Sequence, residues 1–289
     1  MSKEAAKTGI GPTVLVAIEQ FFPKNQRGIE DELSYRILPF VMKFFVGLMR
    51  IKSIRNWMIQ ASEKDIPGIW GGMICRKQYI DEKLINSINQ ISSIVNLGSG
   101  FDTRIYRLSG LSSTLTYEVD QPEIIQKKKM QLLRLFGSIS SHLKLVPVDF
   151  EQEDLGSALK SHGYSTETKT FYIMEAITQY LTETAIKATF DFLAKAKSGS
   201  QLVFTYIRKD FLDGRVMYGW EKAYKKYVIE NKIWLFGMDP EGLPNFLKQY
   251  GWHVVEDVSY EKLSEQYVKP TGRELASTQV ERIVHAKKQ

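Results

Sequence analysis

The stretch "IVNLGSGFDTRIYRL", residues 94–108, decides the fold of this chain. A short apolar run stops at Gly98-Ser99-Gly100, where a tight turn lets bare backbone approach a ligand. The dinucleotide fingerprint asks for a third glycine three residues after the second, and Thr103 stands there instead. Asp102 lies beside the loop, where its charge opposes a pyrophosphate on the helix N-terminus that follows. A cationic nucleoside without phosphates removes that conflict. S-adenosylmethionine, with its sulfonium and ammonium, is such a ligand. A lone G-x-G also serves as a plain turn, and Asp102 equally suits a helix cap.

Working outward, the same kind of run recurs. Residues 113–120 ("STLTYEVD"), 143–149 ("LKLVPVD"), 169–175 ("KTFYIME") and 200–206 ("SQLVFTY") read as strands. Helical stretches separate them, notably 122–136 and 182–197, the latter opening on a capping Thr182. Alternation of this kind predicts right-handed crossovers and a mainly parallel sheet covered on both faces. Residues 252–259 and 280–286 read as a further pair, expected as an antiparallel edge. Residues 1–70 read as a helical lid region, and 71–289 as the ligand-binding domain. An aromatic-rich insertion at 208–240 is expected over the strand ends, where open α/β sheets bind ligands.

Several strands end in acid. Asp120, 20 residues after Gly100, is placed to accept from a ribose diol, a spacing that also fits NAD. Asp149 offers an acceptor to an adenine amino group, Phe150 an aromatic face for the ring, and Glu175 points at the same crevice.

The net charge of +6 is spread along the 289 residues, and Lys127-Lys128-Lys129 reads as one solvated helix face. No nucleic-acid-binding signature is present. Cys75 is the only cysteine, and the four histidines stand far apart, so neither a disulfide nor a metal site is expected. The cytoplasm is the expected compartment. The apolar segment 37–51 contains Pro39 and Lys43, falls short of a membrane span, and reads as a buried or interfacial helix without stable insertion.

"VNLGSGFDTRIYRL", "YEVDQPEIIQKK", "VPVDF", "IMEAITQYLT" and the upstream "ICRKQYID" together resemble the leucine carboxyl methyltransferase family. That family includes protein-phosphatase carboxyl methyltransferases and tetracenomycin-type polyketide O-methyltransferases. The resemblance spans residues 74–206. It implies a Rossmann-like class I methyltransferase, with a seven-stranded mainly parallel sheet whose last strand is antiparallel. It implies S-adenosylmethionine as cofactor, with Arg76 on its carboxylate and Gly98 and Gly100 under its amino-acid part. Asp120 would hold the ribose, and Asp149 with Phe150 the adenine. Glu175 would lie near the ammonium or the substrate, and Tyr180 would line the reaction centre. Where many members carry glycine after that glutamate, this chain has Ala176.

The expected activity is O-methylation of a carboxylate or phenol on a hydrophobic, polyketide-like small molecule bearing an acidic group. Phe44, Phe45, Met49, Trp57, Met58 and Trp70 are the candidate pocket wall on one side, with Tyr218, Trp220, Tyr224, Trp234 and Phe236 on the other. Arg208 and Arg215 are candidate partners for the acidic group. The alternatives are methylation of a protein C-terminal carboxylate, a nicotinamide dehydrogenase, and a non-catalytic nucleoside-binding module.

Overall fold

Strands apolar at successive positions must be buried on both faces, and the architecture follows from that. A computed structural model describes residues 10–289, and residues 1–9 of the N-terminal region lie outside the described residues. Seven strands form one sheet: β1 (Ser93–Leu97), β2 (Leu115–Asp120), β3 (Leu143–Pro147), β4 (Thr170–Met174), β5 (Gln201–Ile207), β6 (Trp252–Ser259) and β7 (Glu281–Lys288). Their order is β3-β2-β1-β4-β5-β7-β6. The first five pair in parallel, and β7 runs antiparallel to both β5 and β6. The last two strands pair antiparallel with each other at the edge of the sheet, as expected. β7 slots between β5 and β6, leaving β6 as the edge.

Side-chain alternation sorts the core into two layers. Val95, Leu97, Tyr172, Met174, Leu202 and Phe204 face one side, where they meet α7 (Leu155–Ser161), α8 (Glu183–Leu193) and α9 (Leu243–Gln249). Ile94, Phe171, Ile173, Val203 and Ile283 face the other. That side is covered by α1 (Gly11–Glu19), α2 (Glu32–Ile37), α3 (Phe40–Leu48), α4 (Lys52–Asp65), α5 (Ile69–Ser87) and α10 (Tyr260–Tyr267). α6 (Pro122–Phe136) follows β2, with proline in its first turn and Gly137 at φ 74° closing it. α8 starts where its cap predicts, with Thr182 Oγ1 accepting from the Ala185 amide at 3.2 Å.

The N-terminal helices share one core with the sheet, and α5 runs unbroken across position 70. The 208–240 insertion is pinned at its ends by the Arg208–Met238 bridge. Phe211, Trp220 and Trp234 pack there against Ile207 and Val280 over the carboxyl end of β5. Among the described residues, no helix is long and apolar enough to cross a membrane.

Candidate active site

The strand order reverses between β1 and β4, and a cavity of about 420 Å³ opens at the carboxyl ends of the strands there. The glycine loop forms its floor. Gly98 sits at φ 73°, and a Cβ there would lie 2.5 Å from Ile177 Cδ1, so only glycine fits. Gly100 is also at positive φ, and its amide donates to Asp120 Oδ2 at 2.7 Å. The other oxygen, Oδ1, accepts from the Gln121 amide at 2.7 Å. Burial raises the Asp120 pKa, and the two amide bonds only partly offset it.

Glu175 ends β4 at the centre of an ion network. Arg76 Nε donates to it at 3.0 Å, Arg104 Nη1 at 2.8 Å, and Lys77 Nζ lies 2.8 Å from Oε1. Arg76 Nη1 also reaches Glu281 at 3.0 Å, and Arg104 holds Asp81 and Asp102. Burial alone would raise the Glu175 pKa, but Lys77, Arg104 and Arg76 outweigh it and hold the group well below the carboxylate range. Asp102 is ionised for the same reason: burial opposes the charge, and Arg104 and Lys77 win. Asp102 also accepts from the Arg104 amide at 2.7 Å, so it steadies the turn after the loop as well as facing the cavity.

Of the residues read from the sequence, Arg76, Gly98, Gly100, Asp120, Glu175 and Tyr180 line this cavity together. Asp149 and Phe150 do not. Asp149 accepts from Gln121 Nε2 at 3.2 Å, and Phe150 is buried in the core beside the sheet. Among the candidate wall residues, Trp220 and Trp234 line the cavity, joined by Tyr227, which stacks on Trp234 at 5.0 Å. Phe44, Phe45 and Trp57 face outward instead, and Trp70 is enclosed in the core. The N-terminal wall is supplied by Gly11–Leu15, Ile66 and Ile69. Arg208 and Arg215 are taken by Asp210 and Asp213 and stay outside the lining.

Lys77, Asn96, Ser99 and Glu281, to which the sequence pattern assigns no role, also line the cavity. Lys77 stood in plain view beside Arg76, but no spacing rule marks it. Three polar atoms on the lining are buried without a hydrogen-bond partner among the described residues: Ser99 Oγ, Gln179 Oε1 and Trp234 Nε1. Buried polar groups are normally satisfied, so these three are candidate partners for a bound molecule.

The profile of the leucine carboxyl methyltransferase family matches residues 9–194. A protein of Mycobacterium avium (strain 104), provisionally named an S-adenosyl-L-methionine-dependent methyltransferase, is 32% identical over 205 residues, 69% of this chain and 67% of its own. A similarly named protein of Mycobacterium marinum is 33% identical over 137 residues, 47% of this chain and 45% of its own. The match thus spans two-thirds of one relative and under half of the other. The crystal structure of a DUF574 family protein from Streptomyces avermitilis shares the fold, with a TM-score of 0.57 at 13% identity, over 80% of this chain and 88% of that one.

Proposed function

This chain belongs to the leucine carboxyl methyltransferase family and takes S-adenosylmethionine as cofactor, and from that footing we propose that it methylates a carboxylate oxygen of an apolar small molecule. The nicotinamide alternative falls away with that membership. Bound S-adenosylmethionine supplies an electrophilic methyl group on a sulfonium whose charge vanishes during transfer. The residues on the cavity fit it. Gly98 and Gly100 leave room for close approach, Ser99 Oγ lacks a partner, and Asp120 keeps acceptor capacity beyond its two amide bonds. Arg76 and Lys77 bring positive charge to the end that would meet the cofactor's carboxylate.

The observation that carries the acceptor assignment is the chemistry of the far wall. Ile66, Ile69, Ile207, Trp220, Tyr227 and Trp234 make it apolar, and none of the four histidines lines the cavity. Glu175, held ionised by three cations, is too weak a base to take a proton from a phenol. A carboxylate arrives already ionised and needs no base. The chain's task is then to exclude water and align the acceptor oxygen, for which the unpartnered indole N–H of Trp234, a lining residue, is the candidate donor.

The test is release of S-adenosylhomocysteine with matched apolar carboxylic acids, phenols and peptides ending in a free carboxylate, with product masses recorded. Base-labile methyl esters of the apolar acids are the expected products. Turnover confined to phenols or to peptides overturns the acceptor assignment. Cofactor binding without turnover on any class would favour the non-catalytic alternative. Trp234→Phe should raise KM for the acid by about tenfold, the loss of one hydrogen bond to a charged group, with cofactor affinity unchanged.

A further inference from the structure

Helix α3 is apolar on two faces, and among the described residues only one of them is covered. Val46 is buried against the N-terminal core, with Met42 and Met49 packed beside it. On the opposite side Phe40, Val41, Phe44, Phe45 and Leu48 recur at one-, three- and four-residue intervals. Their exposures are 79%, 63%, 65%, 55% and 39%. Ile51 and Trp57, on and just beyond the start of α4, extend the surface at 54% and 69%. A contiguous exposed apolar surface of this kind marks an interaction site.

Charge identifies the partner. Between Glu32 and Glu63 the sequence contains no acid, and its basic residues outside the core are Arg36, Lys43, Arg50 and Lys52, while Arg55 is buried over Phe22. Arg134, from α6, joins them by donating to the Arg36 carbonyl at 3.2 Å. Burial lowers the Lys43 pKa, and the neighbouring Arg134 and Arg36 lower it further, as expected where positive charge gathers. A second copy of the chain would set the same cations against one another across a twofold interface. Aromatic and aliphatic side chains ringed by lysine and arginine are instead what a headgroup region with negative charge receives.

We propose that the outward face of α3, with the first turns of α4, docks on an anionic lipid bilayer. The docking is peripheral, since α3 is one short helix lying along the protein surface. Its inner face packs on α1, whose first residues wall the cavity, so docking would set that wall next to the lipid.

The experiment is flotation of the full chain with vesicles of phosphatidylcholine alone and of equimolar phosphatidylcholine and phosphatidylglycerol. Binding to the mixed vesicles is expected to be at least about tenfold stronger, and to weaken as salt is raised. Phe44→Glu/Phe45→Glu should abolish it while the melting temperature and cofactor affinity stay unchanged, because both rings already face solvent. Failure of the wild-type chain to bind anionic vesicles, or undiminished binding by the variant, overturns the proposal. So does a dimer in analytical ultracentrifugation that the same variant dissociates, without vesicle binding, which would make the face a contact between copies. Cofactor affinity is read separately, so the proposal fails or stands apart from the carboxylate assignment.

Discussion

Asp120 accepts from the Gly100 and Gln121 amides at 2.7 Å each, so the carboxylate that ends β2 also ties down the glycine loop after β1. Asp120→Ala should therefore loosen the floor of the cavity as well as remove a cofactor contact. Hydrogen bonds to a charged acceptor are worth about 1.5–3 kcal/mol each, so affinity for S-adenosylmethionine should fall at least about tenfold by titration calorimetry. Unchanged affinity in a folded variant would show that the ribose is held elsewhere. Asp120, Gly98, Gly100 and Glu175 were legible because a strand end followed by glycine or acid leaves a local mark. Glu281 left none. Its partner Arg76 is 205 residues away, and only the sheet brings them together. Ala176, where the family resemblance implies glycine, carries φ 53°, a conformation that glycine would adopt without strain.

At the scale of elements, α6 shows where a linear reading misleads. Its Lys127-Lys128-Lys129 run looked like one solvated face, yet successive helical residues turn by about 100°, and Lys128 points inward with Ile124, Ile125 and Leu132. Its Nζ lies 2.6 Å from Glu118 Oε2 on β2, both groups buried. Burial, only partly offset by Lys128, pushes the Glu118 pKa up to about 7. A raised carboxyl pKa means that the folded chain holds the proton more tightly than the unfolded one. The stability Glu118 contributes is thus full below its ordinary pKa and lost as pH rises through about 7. Lys128→Met removes the compensating cation. The variant should lose about 3–5 kcal/mol near pH 8 in denaturant titrations, and less at mildly acidic pH where Glu118 is neutral. Equal losses at both would mean Glu118 is charged throughout. The strands themselves were legible at nearly their true bounds, because burial on both faces writes a continuous apolar run. The position of β7 was not, since nothing local in a strand names its neighbours.

For the molecule as a whole, the place of β7 between β5 and β6 predicts an order of events in time. β6 has no other neighbour in the sheet, so that edge waits for β7. The Arg76–Glu281 pair waits with it, because β7 carries Glu281. Closing so long a loop costs little more entropy than closing a short one, but its contacts give no return until the ends meet. Refolding from denaturant should accordingly restore helical circular dichroism first and cofactor binding in a later phase, followed by stopped-flow mixing with and without S-adenosylhomocysteine. Simultaneous recovery of the two signals would mean that β7 is seated early. Were β7 seated late, a half-folded chain would have strands, helices and a glycine loop but no complete site, and would leave the methyl donor untouched until the fold is whole.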